Sequence, residues 1–339
     1  MSGPSPHIAV VGAGMAGLTA ARVLEDAGYV VAVYEKSRGV GGRLATRRVR
    51  DAGPAHGLQF DHGAPAIVAR EASFASFLQS LREKDAAAAW PAFNTDVVDA
   101  AALVGVPRMN TLLAPAAAGL DIRFQTRVRT IIRDGSRWRL DLDAPALERP
   151  HATPSVDAVI VTAPAPQTAD ILLLAEPDLA AAARAARMTP CWTLMIAIAG
   201  ATKDAPSPRT IPVEGPIEMI VFESAKPGRA PAPLRVVAHA RADWSADNLE
   251  RDRDDVAAEL TPFVLAAIGE DGAPVLYASA HRWRYARVAR PVGAPFLSSD
   301  DGTALAAGDW LLGAEAEDAF KSGDAAAKAL MERLSLKPR

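Results

Sequence analysis

The chain has 339 residues, 50% of them apolar and 23% charged, which suits one large or two medium globular domains and argues against disorder. A formal net charge of -3 gives no electrostatic reason to expect a nucleic acid or an anionic membrane as partner, because either favours a basic face. The one cysteine, Cys191, excludes an internal disulfide and fits a reducing compartment; its setting, "TPCWTLMIAIA", predicts a buried and inert thiol.

In chain order, residues 8–11 read as a short buried strand that breaks at once into glycines, unlike the apolar region of a signal peptide. Apolar runs all fall short of the ~20 residues that cross a bilayer, so the cytoplasm is the expected location. Residues 15–27 predict a helix with Ala16, Ala20, Val23, Leu24 and Ala27 on its apolar side, closed by Gly28. A second buried strand over residues 30–34 completes a βαβ unit. Further on, residues 72–85 and 107–118 look helical, "DIRFQTRVRTIIRD" and "RWRLDLD" look like strands, and "AVIVTAPAP" is a buried strand ending in a loop.

From about residue 170 the composition changes. A helix over 178–187 leads into "CWTLMIAIA", "EMIVFES", "RVVAHARA" and "PVLYASAHRW", the runs of a mixed sheet, with proline-rich loops at 203–216 and 226–233. Residues 245–268 predict one helix with Ser245 as N-cap, kinked or split at Pro262, its charge run "ERDRDD" facing solvent. After Gly302 come a strand, a loop and a final helix.

Gly12-Ala13-Gly14-Met15-Ala16-Gly17 is a dinucleotide fingerprint in its required setting between strand and helix. Gly12 permits the turn, Gly14 admits a pyrophosphate to the backbone, and Gly17 packs helix against strand; the alternative is a tight turn and nothing more. Glu35, at the end of the second strand, can accept bonds from ribose hydroxyls while its charge repels a 2′-phosphate, which disfavours NADP; an ordinary exposed glutamate is the alternative. FAD and NAD remain equal to this point. The next turn, "EKSRGVGGR", separates them. Lys36, Arg38, Gly41, Gly42 and Arg43 have no use in a simple nicotinamide dehydrogenase but bring backbone and cation against a longer cofactor.

This GxGGR turn after a ribose-binding acid resembles the flavin-containing amine oxidase superfamily. The resemblance implies a turn from Gly41 to Leu44 lying along the pyrophosphate and flavin. "GDWLLGAEAEDAFKSGDAAAKAL" resembles the second FAD motif of the same proteins. It implies Gly308 and Asp309 at a ribityl hydroxyl, with backbone N–H groups of Ala319 and Phe320 near flavin N1 and O2. Arg127-Val128 matches the stretch that contacts adenine, and Thr162-Ala163-Pro164 matches its flanking loop.

Within the superfamily the chain resembles bacterial renalase-like proteins, through "EKSRGVGGRLATRR", "DHGAP" (with His62, Gly63 and Ala64), "VTAPAPQ", "TPCWTLMIAIA", "HARADWSADNL", "AHRWRYAR" and "GDWLLG". The implied fold is α/β: a Rossmann-like, glutathione reductase-like FAD-binding domain (1–70, 104–170, 285–339) and a mixed-sheet α+β substrate domain (71–103, 171–284). The implied activity is hydride transfer from dihydropyridine isomers of NAD(P)H to N5 of non-covalently held FAD, with oxygen as acceptor and hydrogen peroxide as product. His62, Trp192, His239, His281 and Trp283 are the residues expected near the flavin. His239 either orients a carboxamide and assists proton release or is structural, and each tryptophan either stacks on substrate or fills core.

Two departures bear on the donor: Pro65-Ala66-Ile67 and Arg108-Met109-Asn110 stand where the renalase pattern has Gln-Tyr-Phe and Gly-Met-Ser. An amine oxidase or desaturase with another acceptor, and a non-catalytic flavin-binding scaffold or redox sensor, are the other readings. The six histidines are scattered without metal-ligand spacing, and nothing in the sequence indicates an oligomeric state.

Overall fold

The strand His7–Val11 occupies the middle of a six-stranded sheet because its apolar run, like VVAVY and AVIV on either side, can be buried on both faces. A computed structural model describes residues 5–51, 53–91, 93, 101–143, 154–200 and 215–335. The sheet runs Leu297–Ser298, Ala304–Ala306, Ala158–Val161, His7–Val11, Val30–Tyr34, Asp121–Arg123, parallel except at its first pair. The helix Met15–Asp26 follows the first strand directly. Against it packs the last helix, Ala316–Ser335, which comes so close that a Cβ on Gly323 would lie 2.2 Å from the Ala16 carbonyl oxygen.

The chain divides into two units, residues 1–42, 113–188 and 288–339 in one and 43–112 and 189–287 in the other. Compared with the expected division, residues 43–70, 104–112 and 285–287 fall in the second unit and 171–188 in the first. The reasons are local. Gln59 accepts a bond from Arg235, Asp61 bonds the Met109 N–H, and the helix Pro177–Arg184 buries Leu179, Ala180 and Ala183 in the same core as Leu172.

In the second unit a four-stranded sheet runs Ile217–Phe222, Leu234–Ala240, Arg187–Ile198, Val275–Arg290. Trp192, Leu194, Ile196, Val236 and Ala238 share a core with Val256, Leu260 and Val264 of the helix Arg253–Ile268. Alternation sends Cys191, Thr193, Met195 and His239 to the opposite face. Among the described residues, no helix is long and apolar enough to cross a membrane.

Several expected elements come out differently. Residues 107–118 form a 3-10 turn, Met109–Leu113, and a short helix, Ala114–Ala117, since Asp61 takes the Met109 N–H. The stretch 121–134 is two strands in two sheets, broken at Gln125, where φ is 54°. The helix over 245–268 is two, Ala242–Asp247 and Arg253–Ile268, parted where Asn248 turns its N–H and side-chain amide onto the Trp244 carbonyl. Asp252, not Ser245, is the N-cap of the second; Ser245 is buried and its Oγ accepts the Trp192 N–H at 3.0 Å. Pro262 lies inside an unbroken helix because Ala258, four residues back, is exposed and its carbonyl can turn to water. The loop expected at 203–216 lies, up to residue 214, outside the described residues.

Candidate functional site

In the first unit the glycine turn is clamped by a threonine. Gly12 has φ 110° and a Cβ there would lie 2.8 Å from Thr162 Oγ1, while one on Gly17 would lie 1.9 Å from the Gly12 carbonyl oxygen. The Thr162 hydroxyl donates to the Val11 carbonyl at 2.8 Å, and the Ala163 carbonyl accepts the Trp310 indole N–H at 3.1 Å. Thr162 therefore holds the turn from behind, a role that sequence spacing did not reveal. At Gly14 a Cβ would meet no atom within 4 Å, so the N-terminus of the helix opens onto free space.

Glu35 is only 8% exposed, and its two oxygens accept the N–H groups of Ala13 (2.8 Å) and Ser37 (2.7 Å). The carboxylate is thus built into the glycine turn. The second turn joins the same place: Gly41 donates to the Ala13 carbonyl at 3.0 Å, and a Cβ on Gly42, where φ is 55°, would lie 3.5 Å from Gly14 Cα. Lys36 Nζ bonds Gln167, Arg38 is exposed, and Val128 is buried in its strand. An open helix N-terminus, flanked by two glycine turns and a placed carboxylate, fits the pyrophosphate and ribose of a dinucleotide.

Asp309 is 3% exposed, not a surface aspartate, and opens a 3-10 turn in which its backbone carbonyl accepts the Leu312 and Gly313 N–H groups at 2.8 Å. Gly308, with φ 154°, precedes it, and its N–H donates to Ser322 of the last helix. The expectation for Ala319 needs correction. That helix begins at Ala316, so Ala319 closes its first turn and its N–H is already given to the Glu315 carbonyl at 3.3 Å; Ala319 is therefore not among the free N–H groups of the helix start, and Phe320 follows it.

In the second unit Arg43, the last residue of "GGR", meets the "DHGA" motif. Ala64 donates to the Arg43 carbonyl at 2.9 Å, and Gly63 passes so close that a Cβ would lie 1.9 Å from that oxygen. Arg43 reaches the Ala286 carbonyl at 3.1 Å, and Leu44 is buried. Next to Gly63, His62 forms an aromatic trio with His281 and Trp283, ring centroids 4.7 and 5.0 Å from His62 and 4.5 Å from each other. The Trp283 indole N–H is fixed by the His62 carbonyl at 2.8 Å. Burial, then the charges of His281 and Arg47, bring the His62 pKa down to about 3; burial and Arg47 bring His281 down to about 4. His62 Nδ1 is buried without a hydrogen-bond partner.

His239 is 6% exposed, with its pKa lowered to about 3 by burial and by the charges of Arg287 and Lys226, and its Nε2 has no partner. Trp192 is not a substrate-stacking residue: its ring lies in the sheet–helix core and its N–H goes to the Asn248 carbonyl at 3.0 Å. Cys191 is buried, and burial pushes its thiol up to about 11, as expected of an inert side chain. Ile67 and Met109, from the two departures in pattern, are also buried, so both departures alter packing within this unit.

Sequence reasoning missed a buried ionic network. Asp61 accepts bonds from Thr46 (2.5 Å), the Met109 N–H (3.0 Å), Lys226 (3.3 Å) and Arg229 (2.6 Å). Glu223, ion-paired with Lys226, accepts the Asp61 N–H at 2.5 Å. Burial alone raises the Asp61 carboxyl pKa, yet Lys226 and Arg229 hold it well below the usual range; burial pushes Glu223 upward. Asp61 and Glu223 are 162 residues apart, so no local pattern joins them.

Comparison with known proteins agrees with this architecture. Residues 10–81 match the model of the NAD(P)-binding Rossmann-like domain, and residues 100–331, more than half of the chain, match that of flavin containing amine oxidoreductases. An L-amino-acid oxidase of Siganus canaliculatus is 40% identical over 80 residues, 24% of this chain and 14% of that protein. An L-amino acid oxidase of Crotalus durissus cumanensis is 58% identical over 45 residues, 13% of this chain and 9% of its own length. The aligned stretches are thus a small part of these relatives. The cyclohexylamine oxidase of Brevibacterium oxydans IH-35A shares the fold, with a TM-score of 0.66 at 13% identity over 98% of this chain and 100% of that one. With the fingerprint in place and the second family model spanning most of the rest, the chain belongs to the flavin containing amine oxidoreductases.

Proposed function

We propose that the protein is an oxidase of the renalase type, taking hydride from a dihydropyridine such as an isomeric NAD(P)H, or a related small donor, with molecular oxygen as acceptor. The observation that carries this reading is the uncharged aromatic trio of His62, His281 and Trp283. A dihydropyridine is already a hydride donor and needs to be held flat, not activated by acid or base. Burial keeps both imidazoles neutral at pH 7, and His281 and Trp283 are half-buried where His62 is buried, so on this reading a planar donor meets an uncharged aromatic surface through those two rings.

Bound FAD supplies a two-electron acceptor at N5 that oxygen restores with release of hydrogen peroxide. On this reading residues 12–17 hold the pyrophosphate and Glu35 the ribose, while Gly41, Gly42, Arg43 and Leu44 follow the cofactor toward its ring. Val128, Thr162 and Ala163 back the adenine end, and Gly308 and Asp309 hold the ribityl chain. Most of these cofactor residues belong to the first unit, and His239 of the second is the residue proposed to orient the donor.

The amine oxidoreductase match and the L-amino-acid oxidase relatives favour a second reading, in which the donor is an amine. An anaerobic screen of dihydropyridines, amines and amino acids, following the flavin's visible band, decides between them. Bleaching by isomeric NADH, then peroxide on admitting air, is expected. Bleaching by amines or amino acids alone replaces the first reading with the second, and no bleaching by any donor overturns both.

A further inference from the structure

We propose that Glu218, Arg287 and His239 form a subsite that reads an uncharged carboxamide on the donor and rejects a carboxylate; this rests on the donor being a dihydropyridine. Glu218 sits in a β-bulge. Ile217 pairs with Ala240 and Met219 with His239, which leaves residue 218 without a cross-strand place. A bulge re-aims the side chain it carries, and here it keeps a carboxylate out of the core that buries Ile217 and Ile220.

Glu218 is aimed at Arg287 on the opposite edge strand of the same sheet. Arg287 Nη1 contacts Oε1 at 2.7 Å and Oε2 at 2.9 Å, so the pair spans the sheet from edge to edge. It lies beside the face that carries Cys191, Thr193 and His239: Glu218 adjoins Met219, the cross-strand partner of His239, Thr193 pairs with His239 on the other side, and the opposite face is filled by the core under the helix. The two side chains are 41% and 38% exposed, whereas His239 is 6% exposed with an unpartnered Nε2. A reachable ion pair next to a buried, unpartnered imidazole nitrogen presents donors and acceptors together to a polar ligand.

Charge decides which ligand fits. The Arg287 charge is neutralised by Glu218, so a ligand carboxylate meets a carboxylate and no net cation. A primary carboxamide instead offers an N–H to Glu218 or His239 and an oxygen to the guanidinium.

The test uses the holoenzyme with nicotinamide and nicotinate as probes, their binding followed by saturation-transfer NMR. Nicotinamide should bind at least about tenfold tighter than nicotinate, and Glu218→Gln should narrow that preference to about threefold or less. Equal binding of the two probes by the wild type, or a preference that Glu218→Gln leaves unchanged, overturns the subsite. With isomeric NADH, Glu218→Gln should raise KM about tenfold with kcat within about twofold. A lowered melting temperature with KM unchanged means that the pair only braces the sheet, and also overturns the proposal. If nicotinamide binds with the expected preference while isomeric NADH leaves the flavin oxidised, the subsite stands and the dihydropyridine reading fails.

Discussion

Gly14 and Gly17 are glycines of one fingerprint for different reasons. At Gly17 a side chain would strike the Gly12 carbonyl oxygen and Thr162 Oγ1, at 1.9 and 2.7 Å; at Gly14 it would meet nothing of the protein. Gly17→Ala should therefore destabilise the fold by about 3 kcal/mol, seen as a lower melting temperature with or without FAD. Gly14→Ala should leave the melting temperature of the apoprotein within about 1 °C, because such unhindered changes stay near ±0.5 kcal/mol, and weaken FAD retention about tenfold or more, measured by equilibrium dialysis. If Gly14→Ala retains FAD like the wild type, the pyrophosphate does not lie there. That Glu35 sits against the glycine turn was legible, because its register after the glycines is itself the signal. Trp192 was not: a tryptophan that stacks on substrate and one that fills core look alike in sequence, and only the Asn248 carbonyl on its N–H tells them apart.

Among elements, the helix Arg253–Ile268 shows how periodicity misleads. Residues 245–268 carry one apolar pattern, yet the chain stops at Asn248 and restarts at Asp252, whose side chain accepts the Asp254 N–H at 2.7 Å. That capping bond takes up a helix-start donor that would otherwise be unsatisfied. Asp252→Ala should cost about 1 kcal/mol, read as a lower urea midpoint with an unchanged slope; no shift means that the cap contributes nothing. Central strands were read nearly to the residue, since continuous valine-rich runs bounded by glycine leave one solution. Residues 121–134 were read as one strand, because the turn at Gln125 is held by its N–H bond to the Ser37 carbonyl, far away in sequence.

At the scale of the whole molecule, both units are assembled from separated segments. A fragment of residues 1–188 lacks the strand Ala304–Ala306 and the helix Ala316–Ser335 of the first unit. It should fail to fold or hold FAD, and a soluble yellow fragment would contradict that. The second unit also imposes a pH dependence. His62 and His239 have folded pKa values lowered to about 3 and His281 to about 4, against an ordinary value near 6.5. The stability tied to keeping them neutral is fully present above about pH 6.5 and is lost as pH falls toward the folded values, by about 1 kcal/mol per pH unit for each. Urea unfolding from pH 7 to pH 4 should show this decline, with a shallower slope in His239→Gln. The cofactor class and the βαβ core were determined by the sequence alone, because a glycine turn, the acid that follows it and a buried strand are neighbours in the chain and their spacing carries the chemistry. Only tertiary structure decided which histidines are neutral, which tryptophan is core, where the units divide and that Asp61, Glu223 and Lys226 share a charge network. Those properties depend on burial and on partners brought together from distant segments, and local spacing records neither.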